Sequence, residues 1–163
     1  MAIASPISDS RTALVRLPEE VPTIDLMGVR VKVVVTSADT AGAWALLDYT
    51  APPLFRGPLP HWHGRTEEMF QVLEGTLTVH ADGVRSDIPA GGFVLIPPGV
   101  VHQFSNDTPD PVRFLTHVRP GGIDIYFQEL AELVRNETVW PPADPSRLRE
   151  LMERHDSYPP SCS

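Results

Sequence analysis

From Gly28 onward apolar and polar side chains alternate, with Val29, Val31, Val33 and Val35 on one side and Arg30, Lys32 and Thr36 on the other. A period of two is the mark of a half-buried strand. Residues 43–50 (AWALLDYT) read as a second strand, stopped by Pro52 and Pro53, and a stiff loop from Arg56 to Pro60 follows. Residues 68–80 hold strand material on both sides of Gly75, and Thr76 to Val79 alternates again. Ala81-Asp82-Gly83 supplies a hairpin turn, since Asp-Gly tolerates the positive φ angles that a tight turn needs. Phe93 to Ile96 is a continuous apolar run ended by Pro97-Pro98-Gly99, which predicts a short buried strand and a turn. Val112, Phe114, Thr116 and Val118 alternate once more before Pro120-Gly121-Gly122. Short strands separated by turn residues at roughly 8–12 residue intervals predict an antiparallel barrel or jelly roll.

After Gly122 the period lengthens. Ile123, Phe127, Leu130 and Val134 fall on one helical face. Asp144 is placed to cap a second helix with Pro145 at its first position, and Leu148, Leu151, Met152 and His155 follow at helical spacing. Glu150 and Arg154 are spaced to pair on its solvent side. These stripes suit a lid or a dimer contact better than a catalytic element. No internal repeat is visible. The expected organisation is an N-terminal arm over 1–22, a β-barrel over 23–122 and a helical segment over 123–163.

Composition narrows the function more than the fold. A chain of 163 residues with 42% hydrophobic side chains fits one domain with one core. Its 18 prolines and 11 glycines favour turns and short strands. A formal net charge of −8 and the lack of a basic stripe argue against nucleic acid. The lone cysteine, Cys162, leaves no intramolecular disulfide, which fits a reducing cytoplasm. The first residues do not form a signal-peptide core and no run of apolar residues is long enough for a membrane, so a cytoplasmic protein is expected. The glycosylation patterns at Asn106 and Asn136 read as chance matches.

The candidate chemistry starts at His61-Trp62-His63. In an extended segment two histidines one residue apart point the same way, so both imidazoles can reach one ion. Glu68 opens the next strand after a short loop, and His102 follows the Pro-Pro-Gly turn. Three histidines and a carboxylate suit a divalent transition metal (Fe, Mn, Ni, Co, Cu or Zn) far better than Ca or Mg, which prefer oxygen shells.

These residues resemble the two motifs of the cupin superfamily. His61-x-His63, four residues, Glu68, six residues and Gly75 match the first motif. Gly91, five residues, Pro97-x-Gly99, two residues, His102, three residues and Asn106 match the second. One departure is that the glycine expected six places before His61 is Phe55, with Gly57 nearest; that glycine shapes a turn and binds nothing. The resemblance implies an all-β cupin jelly roll, or double-stranded β-barrel, with His61, His63, Glu68 and His102 as metal ligands. Glu67 is a rival to Glu68, but only Glu68 leaves six residues before Gly75. Phe70 and Phe104 share strand parity with Glu68 and His102 and are expected to face the substrate pocket, while Trp62 has the opposite parity to its histidines and is expected to pack. His80, His117 and His155 match no motif and are expected to be structural, with parity leaving the face of His117 open.

Three neutral imidazoles and one carboxylate leave a divalent ion with a single net positive charge, which favours an anionic oxygen donor such as a phenolate or enolate. The segment PLPHWHGRTEEMFQVLEG, with the later VRFLTHVRPGGIDIYFQELAEL, is similar to single-domain quercetinase-type dioxygenases. That resemblance implies cleavage of a flavonol or related hydroxylated aromatic ketone by O2, with loss of carbon monoxide for flavonols and Glu68 as the base that takes the substrate proton. The alternatives are a non-redox isomerase, cyclase or lyase that stabilises an enolate, and a metal-binding sensor without turnover. Expected partners are the small-molecule substrate, O2 and a second copy of the chain in a homodimer, because the Val-rich strand and the arm offer apolar edges.

Overall fold

The computed structural model describes residues 13–160, so Cys162 and most of the expected arm lie outside the described residues. The strands are β1 (Thr23–Leu26), β2 (Val29–Val35), β3 (Ala45–Ala51), β4 (Trp62–His63), β5 (Glu67–Glu74), β6 (Thr76–Ala81), β7 (Val84–Pro89), β8 (Phe93–Ile96), β9 (His102–Ser105), β10 (Val112–Arg119) and β11 (Ser157–Tyr158). The helices are α1 (Ile123–Asn136) and α2 (Pro145–Arg154). One sheet has the order β1-β2-β3-β10-β5-β8 and faces a smaller sheet, β7-β6-β9; β11 pairs with β4. Every pairing is antiparallel.

The core lies between the two sheets. Val31, Leu47, Phe70 and Phe114 reach inward from the larger sheet and meet Leu77, Val79 and Phe104 from the smaller one. This is the jelly roll that the strand spacing predicts, with two helices after it. Tyr49, Phe104 and Phe114 form its aromatic centre, with Tyr49 stacked on Phe114 at a centroid distance of 4.9 Å and edge-on to Phe104 at 5.6 Å. Such pairs add about 0.5–1.5 kcal/mol beyond the area they bury.

Local details follow from the residues. Val29, Val31 and Val33 are buried, but a bulge between Val33 and Val35 shifts the register against β3 and leaves Val35 half-buried. Asp82 (φ 47°) and Gly83 (φ 80°) make the tight turn between β6 and β7. Asn106 is fully buried: its amide donates to the Pro52 and Asp110 carbonyls, and its oxygen accepts from the amide and hydroxyl of Thr108. Its side chain is therefore a loop clasp and no acceptor for a glycan.

Three expectations need correction. The run Phe93–Ile96 is not a buried strand. It forms the edge of the larger sheet, where only Ile96 is buried while Phe93 and Leu95 are 69% and 48% exposed on the outer face. A continuous apolar run does not distinguish a strand covered on both faces from one with an uncovered apolar face. The Val-rich strand β2 offers no free edge, because β1 and β3 take up both sides of it. Arg154 does not pair with Glu150; it donates to Glu129 Oε2 at 2.7 Å, since α2 packs on α1 and brings that carboxylate within reach.

The helices are anchored as their ends dictate. Asp144 Oδ1 accepts from the Ser146 amide at 3.0 Å, with Pro145 at the first turn of α2. Asp124, buried at the start of α1, accepts from the amide and hydroxyl of Ser37 and ties the helix to the turn after β2. Among the described residues no helix is long and apolar enough to cross a membrane.

Candidate metal centre

His61 lies just ahead of β4 and bridges to His102 at the start of β9, through His61 N to His102 O (3.0 Å) and His102 N to His61 O (2.8 Å). Paired residues across an antiparallel bridge present their side chains on one face. The two rings accordingly stand 4.4 Å apart, centre to centre. His63, two residues further on, turns to the same side, and Glu68 reaches in from β5. All four are buried, and one ligand atom from each lies within 4.8 Å of all the others. These are the four residues that the sequence motifs single out.

Each imidazole is tethered through its Nδ1. His61 Nδ1 lies 2.8 Å from the Leu59 carbonyl, His63 Nδ1 is 2.9 Å from the Asp156 carbonyl, and His102 Nδ1 is 3.0 Å from the Val100 carbonyl. A backbone carbonyl only accepts, so each Nδ1 carries a proton and donates it. Each Nε2 is left for the centre of the cluster. This tethering sets the tautomer and ring orientation of metal-binding histidines, and the donor set therefore fits a divalent transition ion.

The charges agree with that fit. Burial works to raise the Glu68 pKa, but the hydrogen bond from His102 (3.1 Å) and the nearby His63 ring outweigh it and bring the carboxyl down to about 2. It stands ionised. Burial opposes a charge on His63, yet the adjacent Glu68 carboxylate, 3.7 Å away, raises its pKa in balance. Burial, helped by neighbouring His102, lowers the His61 pKa to about 4 and keeps that ring neutral. A cation held by these four residues would take the place of the proton that the Glu68 carboxylate otherwise attracts to its histidines.

Above the cluster is a cavity of about 480 Å³ whose lining includes Tyr49, Phe55, Phe70, Phe104, Tyr126, Phe127 and Trp140. Phe70 and Phe104 are both among its lining residues. Its lining also includes Ile123 and Leu130 of α1, Pro141, and Leu148 and Met152 of α2. A smaller cavity of about 130 Å³ reaches His63 and Glu68 from the side of Arg65 and Arg154, and Tyr126 lines both.

The other candidates separate cleanly. Glu67 pairs in register with Arg119 and has the parity opposite to Glu68. His117 packs on Trp44 at 5.3 Å, His80 is exposed, and His155 Nε2 lies 3.3 Å from Glu129. Trp62 packs on Tyr158 at 5.0 Å. Sequence reading did not single out Tyr49, Tyr126, Trp140 or Asp156. Tyr49 has inward parity with Ala45 and Leu47, and Tyr126 lies three residues after Ile123, so both were open to periodicity; Asp156 had no such signal.

A jelly roll with three histidines and one glutamate buried together at its core defines a cupin fold with a candidate metal site. Residues 49–118 match the Cupin domain family. Solved structures agree on the fold. KdgF from Halomonas sp. is 19% identical, with a TM-score of 0.60 over 70% of this chain and 99% of that one. The polyketide cyclase RemF from Streptomyces resistomycificus is 21% identical, with a TM-score of 0.58 over 66% and 80% of the two chains. An RmlC-like cupin from Shewanella frigidimarina is 20% identical, with a TM-score of 0.59 over 70% and 96%. At these identities the likeness is one of fold. No curated protein matches the sequence.

Proposed function

We propose that this chain is a metal-dependent cupin enzyme whose substrate is a flat, largely apolar molecule with an acidic hydroxyl, a flavonol or related hydroxylated aromatic ketone, cleaved with O2. The observation that carries the reading is the position of Glu68, His61 and His63, three of the four clustered residues, in the lining of an aromatic-walled cavity. A volume of about 480 Å³ lies within the range of small-molecule sites, about 300–1,000 Å³. A divalent transition metal held by His61, His63, Glu68 and His102 would supply Lewis acidity toward an anionic oxygen and a centre at which O2 can react.

The chain's own groups do the rest. Phe55 and Phe104 offer ring faces and edges to orient a planar substrate, with the fully buried Phe70 packed behind them. Tyr49 and Tyr126 both line the cavity, and each offers a hydroxyl able to donate to a substrate oxygen. Burial raises the pKa of both, that of Tyr126 to about 12, and keeps them in the donor form. Glu68, ionised and buried, is the group able to take the proton of the substrate hydroxyl. Trp140 and side chains from the two helices complete the apolar lining around a bound substrate.

Elemental analysis with an O2 electrode tests this. The purified protein is expected to carry one divalent transition metal per chain and to consume O2 with a flavonol. A strong chelator should abolish the uptake, and the metal restore it. A loaded protein that converts enolisable aromatics without O2 uptake would move the assignment to an isomerase, cyclase or lyase, and binding without turnover would move it to a sensor.

We propose, too, that two copies pair. What supports this is the apolar outer face of β5 and β8, where Leu73, Phe93 and Leu95 stand exposed together. Light scattering at micromolar concentration is expected to give about twice 18.0 kDa; a monomer mass would contradict it.

A further inference from the structure

The turn that leaves α2 returns to the metal-ligand segment. Asp156, with φ at 60°, reverses the chain, and Ser157–Tyr158 then pair with Trp62–His63. The Asp156 carbonyl accepts the His63 Nδ1 proton at 2.9 Å, with Ser157 Oγ 3.2 Å from the same nitrogen. The Asp156 carboxylate sits in the loop between His63 and Glu68. Its Oδ1 accepts from the Gly64 amide at 3.1 Å, and its Oδ2 accepts from the Arg65 amide (2.8 Å), the Thr66 amide (2.9 Å) and the Thr66 hydroxyl (2.8 Å). Successive backbone N–H groups around one carboxylate form an anion nest. The fit is close, for a Cβ at Gly64 would lie 2.8 Å from Asp156 Oδ1.

We propose that Asp156 is a positioning residue of the metal centre, holding His63 through its carbonyl and the His63–Glu68 loop through its carboxylate, so that docking of the tail that bears it and metal binding reinforce each other. The proposal rests on the metal reading of the four-residue cluster. One residue tethers one ligand and spans the loop to the next, so it sets their separation. Losing such an outer anchor typically costs ~10–100-fold in metal affinity. Linkage is reciprocal: whatever factor tail docking adds to metal affinity, the metal adds to tail docking. Because α2 carries Leu148 and Met152 into the cavity wall, the same docking also completes that wall.

The test uses the full chain, metal-free, titrated with Co2+ and read by its visible absorption in competition with a chelator. Asp156→Ala is expected to bind Co2+ ~10–100-fold more weakly than the unmodified protein and with an altered spectrum. Asp156→Asn, whose amide oxygen still accepts from backbone N–H groups, should recover most of the affinity. In the unmodified protein, Co2+ should slow hydrogen exchange at the amides of residues 64–66 and in α2. A purely structural role would lower the melting temperature of Asp156→Ala and leave its Co2+ affinity unchanged, which would overturn the proposal. Exchange at 64–66 that ignores Co2+ would overturn it without recourse to any variant. Failure of the unmodified protein to bind Co2+ would instead remove the metal centre itself, and this proposal with it.

Discussion

Glu68→Gln is expected to lower turnover by ~10²–10⁴-fold, the usual cost of losing a general base, while the protein still binds metal. The amide keeps the shape and one oxygen donor but does not take a proton at neutral pH. His61, His63 and His102, each held through Nδ1, remain to grip the ion. His63→Ala makes the contrast, since metal content and turnover should fall together when a ligand is lost. Metal stoichiometry and O2 consumption with a flavonol, measured on both variants, separate the two roles. Near-normal turnover by a loaded Glu68→Gln protein would end the assignment of Glu68 as the base.

Gly57→Ala should be among the most damaging single changes outside the cluster. Gly57 has φ at 74°, and a Cβ there would fall 1.7 Å from the Phe104 carbonyl oxygen, closer than any non-bonded contact. The loop has little freedom to retreat, because the Phe55 carbonyl accepts from the Asn106 backbone N–H at 2.8 Å and the Arg56 carbonyl from the Gln103 side chain at 3.2 Å. Strained backbone alone costs about 1–3 kcal/mol. With the clash added, a loss of about 4 kcal/mol or more is expected, read as a lower urea midpoint. A variant within about 1 kcal/mol of the parent would mean that the loop yields easily. This also explains the motif glycine missing at Phe55: in this chain the tight approach to β9 occurs at Gly57, two residues later.

What the sequence revealed and what it hid follow the same physics. β2, β3 and β10 were legible because one face of each is buried and alternation survives in the residues. β7 has nothing to alternate: Val84, Arg85, Ser86 and Asp87 are all exposed, and the strand is held by its pairing with β6. The edge position of β8 was invisible because its outer face is as apolar as its inner one. The four ligands were legible because two short motifs fix their spacing. Asp156 was not, since it acts partly through a backbone carbonyl that any residue possesses, on a histidine 93 positions away. Proximity of that kind belongs to the folded chain and leaves no local pattern.

The division of the cavity between a strand-built floor and a helix-built roof bears on how such a protein diversifies. Leu130, Trp140, Leu148 and Met152 all follow the last strand of the main sheet, and none belongs to the four-residue cluster. Substitutions there would reshape what the cavity admits while leaving the four-residue cluster untouched. Wholesale exchange of the roof is a different matter. The segment that bears it ends in the turn that grips the loop from Gly64 to Thr66. A transplanted roof would have to arrive with an anchor of its own for the loop between His63 and Glu68.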